Sequence, residues 1–199
     1  MRRPSILVLV LLAAFDAPET PRNPMDPLAW TIGPIINGRN YSHSMSLSPT
    51  ANPGGGWYFD FPQVDGVHYV TRAPTEGGRR GVRMVFEIQS DAMFKEVAGD
   101  GPGLVRLYIQ RRGDNWSWNR ASYRFWSRPL ELKPGKHEMG YVFAPELWTN
   151  VGGQTDAAGL QAALADLENV GFTFGGKFAG HGVYAVGSAR FVLTEYALW

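Results

Sequence analysis

The feature that most constrains the fold of this chain is a series of short runs of alternating apolar and polar residues. Turns rich in glycine and proline separate these runs. In the run from Gly81 to Ile88, the apolar residues Val82, Met84, Phe86 and Ile88 occupy every second position. A period of two puts one set of side chains on a buried face and the other set on the opposite face. Many such runs are typical of a β-sandwich or barrel. The pattern predicts strands at Trp57–Phe61, Val67–Thr71, Gly81–Ile88, Val105–Arg111, Ser122–Ser127, His137–Phe143, Val170–Phe174 and Ala189–Leu198.

Two further elements complete the predicted all-β fold. An edge strand is expected over Trp30–Ile36, where Pro34 argues against a central place in a sheet. One short helix is expected before the last two strands. Asp156 is a suitable N-cap for it. The apolar residues that follow at helical spacing are Leu160, Ala163, Leu164 and Leu167.

The N-terminal residues are typical of a secretory signal peptide. Arg2 and Arg3 precede a run of ten apolar residues from Ile6 to Phe15. This run is shorter than the roughly 20 residues that span a bilayer. We therefore predict a signal peptide over residues 1–17, cleaved between Ala13 and Ala17, and a periplasmic or secreted protein with no membrane span after processing. A retained membrane anchor is the alternative.

After the signal peptide, the composition changes twice. Residues 18–29 are rich in proline and polar residues and predict an extended linker. Residues 30–199 are long enough for one domain, which we expect to be the β-sandwich.

Charge and composition exclude several classes of function. The formal net charge is +1, so the chain lacks the basic surplus that nucleic-acid binding requires. There is no cysteine, which excludes thiol catalysis, thiolate zinc sites and disulfides. The four histidines form no H-x-x-x-H pair, and no D-x-D-x-D-G loop marks a calcium site. We expect no cofactor, with a structural Ca²⁺ left open as an alternative that no motif supports.

The segment VRLYIQRRGDNWSWNRASYRFWS, from Val105 to Ser127, combines polar and aromatic residues most densely. It predicts a strand, a turn and a returning strand, because Arg112 to Asn115 have strong turn-forming character. Val105, Leu107 and Ile109 take the core side, so the alternate residues lie on an opposite face that we expect to be solvated. The predicted ligand-binding residues on that face and in the turn are Tyr108, Gln110, Asp114, Asn115, Trp116, Trp126, Arg106 and Arg124.

Such a set of side chains suits a sugar. The apolar C–H faces of a pyranose pack on aromatic rings, and its hydroxyls pair with planar donors and acceptors. In the alternative interpretation, the tryptophans cover the core and the arginines are solvated, since aromatic residues favour strands in any case. Scattered carboxylates leave a second alternative, because two of them facing each other across a cleft would allow glycoside hydrolysis. They are Asp60, Asp65, Glu87, Asp100, Asp114 and Glu195.

The tail of the chain, ALADLENVGFTFGGKFAGHGVYAVGSARFVLTEYAL, resembles the closing segment of galactose-binding-like jelly rolls, the fold of many carbohydrate-binding modules. The likeness lies in the hydrophobic residues and glycines from Leu160 to Leu198. The whole chain also resembles uncharacterised exported bacterial proteins that carry the same G-D-N-W-S element, Gly113 to Ser117. The resemblance implies a jelly-roll β-sandwich and brings neither an assigned activity nor a binding residue.

The sequence therefore predicts an exported β-sandwich protein that binds a poly- or oligosaccharide and is more consistent with a non-enzyme. A polysaccharide-acting hydrolase or lyase, using two acids or Tyr, His and Arg, is the first alternative. A structural or interaction protein of the cell envelope is the second. If Trp116 and Trp126 serve the ligand, replacing either with alanine is expected to remove binding and leave thermal stability nearly unchanged.

Overall fold

Two antiparallel β-sheets pack face to face, as described by a computed structural model that covers residues 23–75, 79–177 and 180–199. Strands are numbered here in chain order. In spatial order, the first sheet comprises β1 (Thr31–Gly33), β6 (Tyr69–Arg72), β14 (Leu167–Gly175), β9 (Leu104–Arg111), β10 (Arg124–Ser127) and β13 (Trp148–Asn150), with β11 (Leu130–Glu131) also beside β9. The second sheet comprises β12 (Gly135–Val142), β7 (Gly81–Gln89), β16 (Arg190–Leu198), β5 (Trp57–Asp60) and β4 (Thr50–Ala51).

Smaller elements accompany the two sheets. Two short ladders pair β2 (Ile35–Ile36) with β3 (Arg39–Asn40), and β8 (Met93–Glu96) with β15 (Val183–Val186). The α-helix α1 spans Ala157–Ala165. Short 3-10 turns lie at Pro27–Ala29, Trp118–Tyr123 and Pro145–Leu147.

Aromatic side chains fill the space between the two sheets. Phe172 of β14 packs on Trp57 of β5 and on Phe191 of β16, with ring centroids 6.1 and 5.2 Å apart. All three side chains are buried. Burial of one large apolar side chain contributes about 1.5–3 kcal/mol, so these contacts between sheets stabilise the sandwich.

The predicted all-β sandwich of jelly-roll type is confirmed. Each of the eight predicted strands is present, with ends displaced by at most three residues. The chain passes repeatedly from one sheet to the other, as in the steps from β5 to β6 and from β6 to β7. The predicted edge strand Trp30–Ile36 is confirmed in part. Thr31–Gly33 form β1 at the border of the first sheet, whereas Ile35–Ile36 form β2, which pairs with β3 in a separate ladder.

The predicted helix is confirmed, with one correction at its end. The Asp156 carboxylate accepts a hydrogen bond from the Gly159 N–H, 2.8 Å away, and so caps α1. Leu160, Ala163 and Leu164 are buried. Leu167, however, already belongs to β14, and three strands rather than two follow the helix. The strand begins early because a register shift between Leu167 and Asn169 lets it pair with β9 from Leu167 onward.

The N-terminal part of the described chain packs on the sandwich. The backbone carbonyl of Pro24 accepts hydrogen bonds from the indole N–H groups of Trp30 and Trp57, at 2.7 and 3.3 Å. A 3-10 turn follows at Pro27–Ala29. The extended linker predicted to reach residue 29 therefore differs from the structure in its last residues. The predicted signal peptide and residues 18–22 lie outside the described residues.

In the part of the chain that the structure describes, none of the helices combines the length and apolar character needed to cross a bilayer.

Candidate functional site

The face of the first sheet that points away from the core carries large polar and aromatic side chains. Strand register places Trp126 of β10 beside Tyr108 of β9, and Arg124 beside Gln110. The intervening residues of β9, including Leu107, lie in the core. The orientation predicted from the period of two in this hairpin is therefore confirmed.

The loop between β9 and β10 folds back over this face. Trp116 in that loop has a φ of 63°, in the left-handed region that is uncommon for a residue with a side chain. Its ring packs edge-on against Tyr69 of β6, with centroids 5.2 Å apart. The Arg124 guanidinium lies 5.1 Å from the centre of the same ring. These contacts fix the Trp116 ring above the sheet.

The Asp114 carboxylate anchors this loop from below. Its side chain is 0% exposed and forms an ion pair with Arg124, 3.0 Å from its Nε. It also accepts hydrogen bonds from the Gln110 Nε2 at 2.9 Å and from the Trp116 backbone N–H at 3.1 Å. Gln110 in turn accepts a hydrogen bond from Asn169 Nδ2 at 2.9 Å. A buried charge is tolerated because it is both paired and hydrogen-bonded here.

The prediction that Tyr108 and Gln110 lie on a solvated face is wrong. The face is the predicted one, but Tyr69 and the loop cover it, and both side chains are buried. Tyr108 lies beneath Tyr69, with ring centroids 4.9 Å apart, and burial raises its pKa well above the ordinary value. Alternation along a strand fixes which way a side chain points and carries no information about what covers it.

Two adjoining cavities open above this buried layer. The first, called here the aromatic cavity, has a volume of about 330 Å³. Its aromatic wall residues are Tyr41, His68, Tyr69, Trp116, Trp118 and His181. The second, called here the cationic cavity, has a volume of about 350 Å³. Its aromatic and charged wall residues are Trp118, Trp126, Arg106, Arg128, Lys177 and Glu146.

Trp118 lies between the two cavities. It lines both of them, as does Val151, so the cavities adjoin on the outer face of the first sheet, and together they are called here the groove. The Trp118 side chain is 72% exposed. Each cavity lies at the lower end of the range of about 300–1,000 Å³ that is typical of small-ligand sites.

The structure divides the eight predicted ligand-binding residues into two sets. Trp116 and Arg124 line the aromatic cavity, and Arg106 and Trp126 line the cationic cavity. The other four, Tyr108, Gln110, Asp114 and Asn115, line neither of these two cavities.

Asn115 and Trp126 differ from what the sequence suggested. Asn115 is exposed, and its Oδ1 accepts a hydrogen bond from the Ser117 backbone N–H at 3.2 Å. Trp126 is 7% exposed, so it packs as well as lines the cavity. Trp126→Ala is therefore expected to lower thermal stability, in contrast to the sequence-based prediction.

Several groove residues were missed from the sequence. Tyr41, His68 and His181 come from segments distant in the chain, and no local pattern indicates that they meet. Trp118 carried a usable signal, because it lies two residues after Trp116 in a polar loop where an aromatic side chain has little to pack against.

Two titratable groups of the aromatic cavity, His68 and Tyr69, are poorly placed for acid–base catalysis. Burial lowers the pKa of His68, and its ring nitrogens lie 2.8 Å from the Gly180 carbonyl and 3.2 Å from the Asp65 carbonyl. Burial also raises the pKa of Tyr69 to about 12, so its hydroxyl stays protonated at neutral pH. Glu146 is the single carboxylate among the residues that line the two cavities.

Across residues 23–75, 79–177 and 180–199, no three His, Asp or Glu side chains are grouped so that they could hold a metal ion.

No protein-family model matches the chain, and no curated protein sequence matches it. Among solved structures it is similar to a xylan-binding module, CBM15, with a TM-score of 0.40 and 12% sequence identity. The alignment covers 85% of this chain and 93% of that one. The sandwich fold of the present chain is evident from its own two sheets.

Proposed function

We propose that this protein binds a poly- or oligosaccharide along the groove formed by the aromatic and cationic cavities, without cleaving it. The observation that carries the proposal is Trp118, a largely exposed aromatic side chain that stands between two cavities with further rings in their walls. An exposed tryptophan next to other aromatic surface is unfavourable unless it packs against something. The C–H face of a sugar ring is a suitable partner for it.

Hydrogen-bonding groups at the groove are held in place before a ligand arrives. Arg124 is fixed by Asp114 and by the Ser117 carbonyl, which accepts a hydrogen bond from its Nη2 at 3.0 Å. Trp116 is fixed by Tyr69 and Asp114. Fewer side chains then lose freedom on binding, which favours affinity for a flexible oligosaccharide.

Binding is better supported than catalysis. Hydrolysis by the usual mechanism needs two carboxyl groups about 5–9.5 Å apart across the bond. The groove walls supply one, Glu146. A lyase that used tyrosine and histidine would need groups able to exchange protons near neutral pH. The raised pKa of Tyr69 and the carbonyl contacts of His68 oppose that role.

We further propose that the protein is exported to the periplasm or the cell exterior, where such glycans occur. The support is the charged start and the short apolar run of residues 1–15. N-terminal sequencing of the protein recovered outside the cytoplasm is expected to begin between Ala13 and Ala17. An intact Met1 on a membrane-bound product would contradict export with cleavage.

The direct test replaces Trp118 with alanine. A panel of neutral and acidic soluble polysaccharides is screened by affinity gel electrophoresis, and oligosaccharides of the best polymer are titrated by calorimetry. We expect Trp118→Ala to weaken binding by roughly 30-fold or more, the effect of losing an aromatic anchor worth about 2 kcal/mol. Trp118→Phe is expected to retain most of the affinity.

Trp199→Ala is the matched control, because Trp199 lies beside Gly81 of β7 and Gly140 of β12, in the other sheet. It is expected to bind like the parent. Reducing-sugar release is measured in parallel and is expected to be absent. Binding that survives Trp118→Ala would place the glycan elsewhere. Release of reducing sugar would favour the alternative that the protein is a polysaccharide-cleaving enzyme.

A further inference from the structure

We infer that the cationic cavity recognises an anionic group on the glycan, either a uronate carboxylate or a sulfate ester, beside a sugar ring on Trp118. This inference rests on the proposed function and specifies the chemical class of the ligand. Its basis is the distribution of charge along the groove together with the state of Arg106.

The two cavities differ in charge although they share Trp118. Among the residues that line the cationic cavity, three are cationic, Arg106, Arg128 and Lys177, and one is acidic, Glu146. In the aromatic cavity, the charge of Arg124 is compensated by the buried Asp114 carboxylate. The residues that line the cationic cavity thus carry more positive than negative charge, on a chain whose net charge is only +1.

Arg106 provides an independent second observation. It is 6% exposed and lines the cationic cavity. Its Nη2 donates a hydrogen bond to the Gly176 carbonyl at 2.9 Å. Its Nη1 is buried and has no hydrogen-bond acceptor among residues 23–75, 79–177 and 180–199. Guanidinium groups remain charged in proteins, and a buried donor without an acceptor is unfavourable. An anion that enters the cavity would bring a negative charge towards this group.

The chemistry of the wall matches a carboxylate or a sulfate more closely than a neutral hydroxyl. Arginine forms its strongest hydrogen bonds with anionic oxygens, which its planar guanidinium can engage in pairs. The exposed Arg128 and Lys177 add favourable potential at the cavity wall. The adjoining Trp118 and Trp126 would pack against the ring that carries the anion.

The experiment compares polymers that share a backbone and differ in charge. Polygalacturonate is set against its fully methyl-esterified form, and a sulfated galactan against its desulfated form. We expect an acidic polymer that binds to do so roughly tenfold or more tightly than its neutral counterpart. This preference is expected to fall as the salt concentration is raised. The pair that shows the larger preference identifies the anion as carboxylate or sulfate.

Variants of the exposed cations avoid disturbing the buried Arg106. Arg128→Gln combined with Lys177→Gln is expected to reduce the preference for the acidic polymer over its neutral counterpart roughly fivefold to tenfold. Lys136→Gln, an exposed position on β12 of the second sheet, is the control and is expected to retain the preference.

The outcomes separate this inference from the proposed function. Equal binding of acidic and neutral polymers, weakened for both by Trp118→Ala, would overturn the anionic ligand and leave glycan binding in place. An unchanged preference in the Arg128 and Lys177 double variant would also overturn it. Absence of binding to all polymers would overturn both.

Discussion

Replacing Asp114 with alanine is expected to lower the free energy of unfolding by about 3–5 kcal/mol. The Asp114 side chain is fully buried and is the ion-pair partner of Arg124, which is itself buried. Its removal leaves a guanidinium without its compensating charge, and it leaves the Gln110 amide and the Trp116 N–H without their acceptor. The measurement is urea unfolding followed by tryptophan fluorescence and circular dichroism.

A matched control is Asp166→Ala. Asp166 also pairs with an arginine, Arg112, at 3.3 Å, but both side chains are at least half exposed. Exposed ion pairs contribute about 0–1 kcal/mol, so this variant is expected to unfold close to the parent. A loss of stability that is equally small in Asp114→Ala would contradict the view that the buried pair holds the loop.

The same substitution also tests whether a residue that only holds the binding residues in place affects ligand binding. Asp114 lines neither cavity, yet it fixes Trp116 and Arg124, which do line the aromatic cavity. Residual folded Asp114→Ala protein is therefore expected to bind glycan more weakly, through a less ordered Trp116, although it has lost no atom that touches the ligand.

The sheets were predictable from the sequence because backbone geometry enforces a period of two in any strand with one buried face. Val105, Leu107 and Ile109 could be assigned to the core on that rule alone, and the structure places them there. The helix was predictable for a similar reason, since Asp156 precedes a turn whose apolar residues recur at helical spacing. Strands as short as Trp148–Asn150 were not predicted, because three residues are too few to show an alternating pattern.

The groove was predictable only in part. The hairpin from Val105 to Ser127 could be identified as the segment richest in polar and aromatic residues. Four of its residues do line the two cavities: Trp116, Trp126, Arg106 and Arg124. The opposite wall is formed by residues such as Tyr41 and His181, which a single sequence does not relate to the hairpin. Long-range contacts of this kind depend on strand order, which local patterns do not encode.

The roles of individual polar residues were the hardest to predict. Gln110 and Asp114 have the side chains that sugars favour, yet both are used to hold the loop. The same donors and acceptors satisfy buried partners and ligands alike, so composition does not distinguish the two uses. Only burial and hydrogen-bond partners do so, and both are properties of the folded chain.

Replacing Trp57 with alanine is expected to lower the free energy of unfolding by about 3–5 kcal/mol, the usual cost of removing a core tryptophan. Trp57 is 0% exposed. Its ring contacts Trp30, Phe172 of the first sheet, and Phe191 of the neighbouring strand β16 in its own sheet. Its indole N–H also donates to the Pro24 carbonyl, so the variant loses that hydrogen bond as well as packing. Urea unfolding of the parent and the variant measures the difference.

Trp118→Ala is the variant to compare with Trp57→Ala, because it removes the same type of side chain from an exposed position. Because Trp118 is mostly exposed, its loss is expected to change stability by no more than about 0.5 kcal/mol, although glycan binding weakens by roughly 30-fold or more. The pair of variants thus tests whether the tryptophans of this chain divide between core and recognition surface. If Trp118→Ala unfolded as readily as Trp57→Ala, Trp118 would be a packing residue. The exposed anchor of the groove would then no longer support glycan binding.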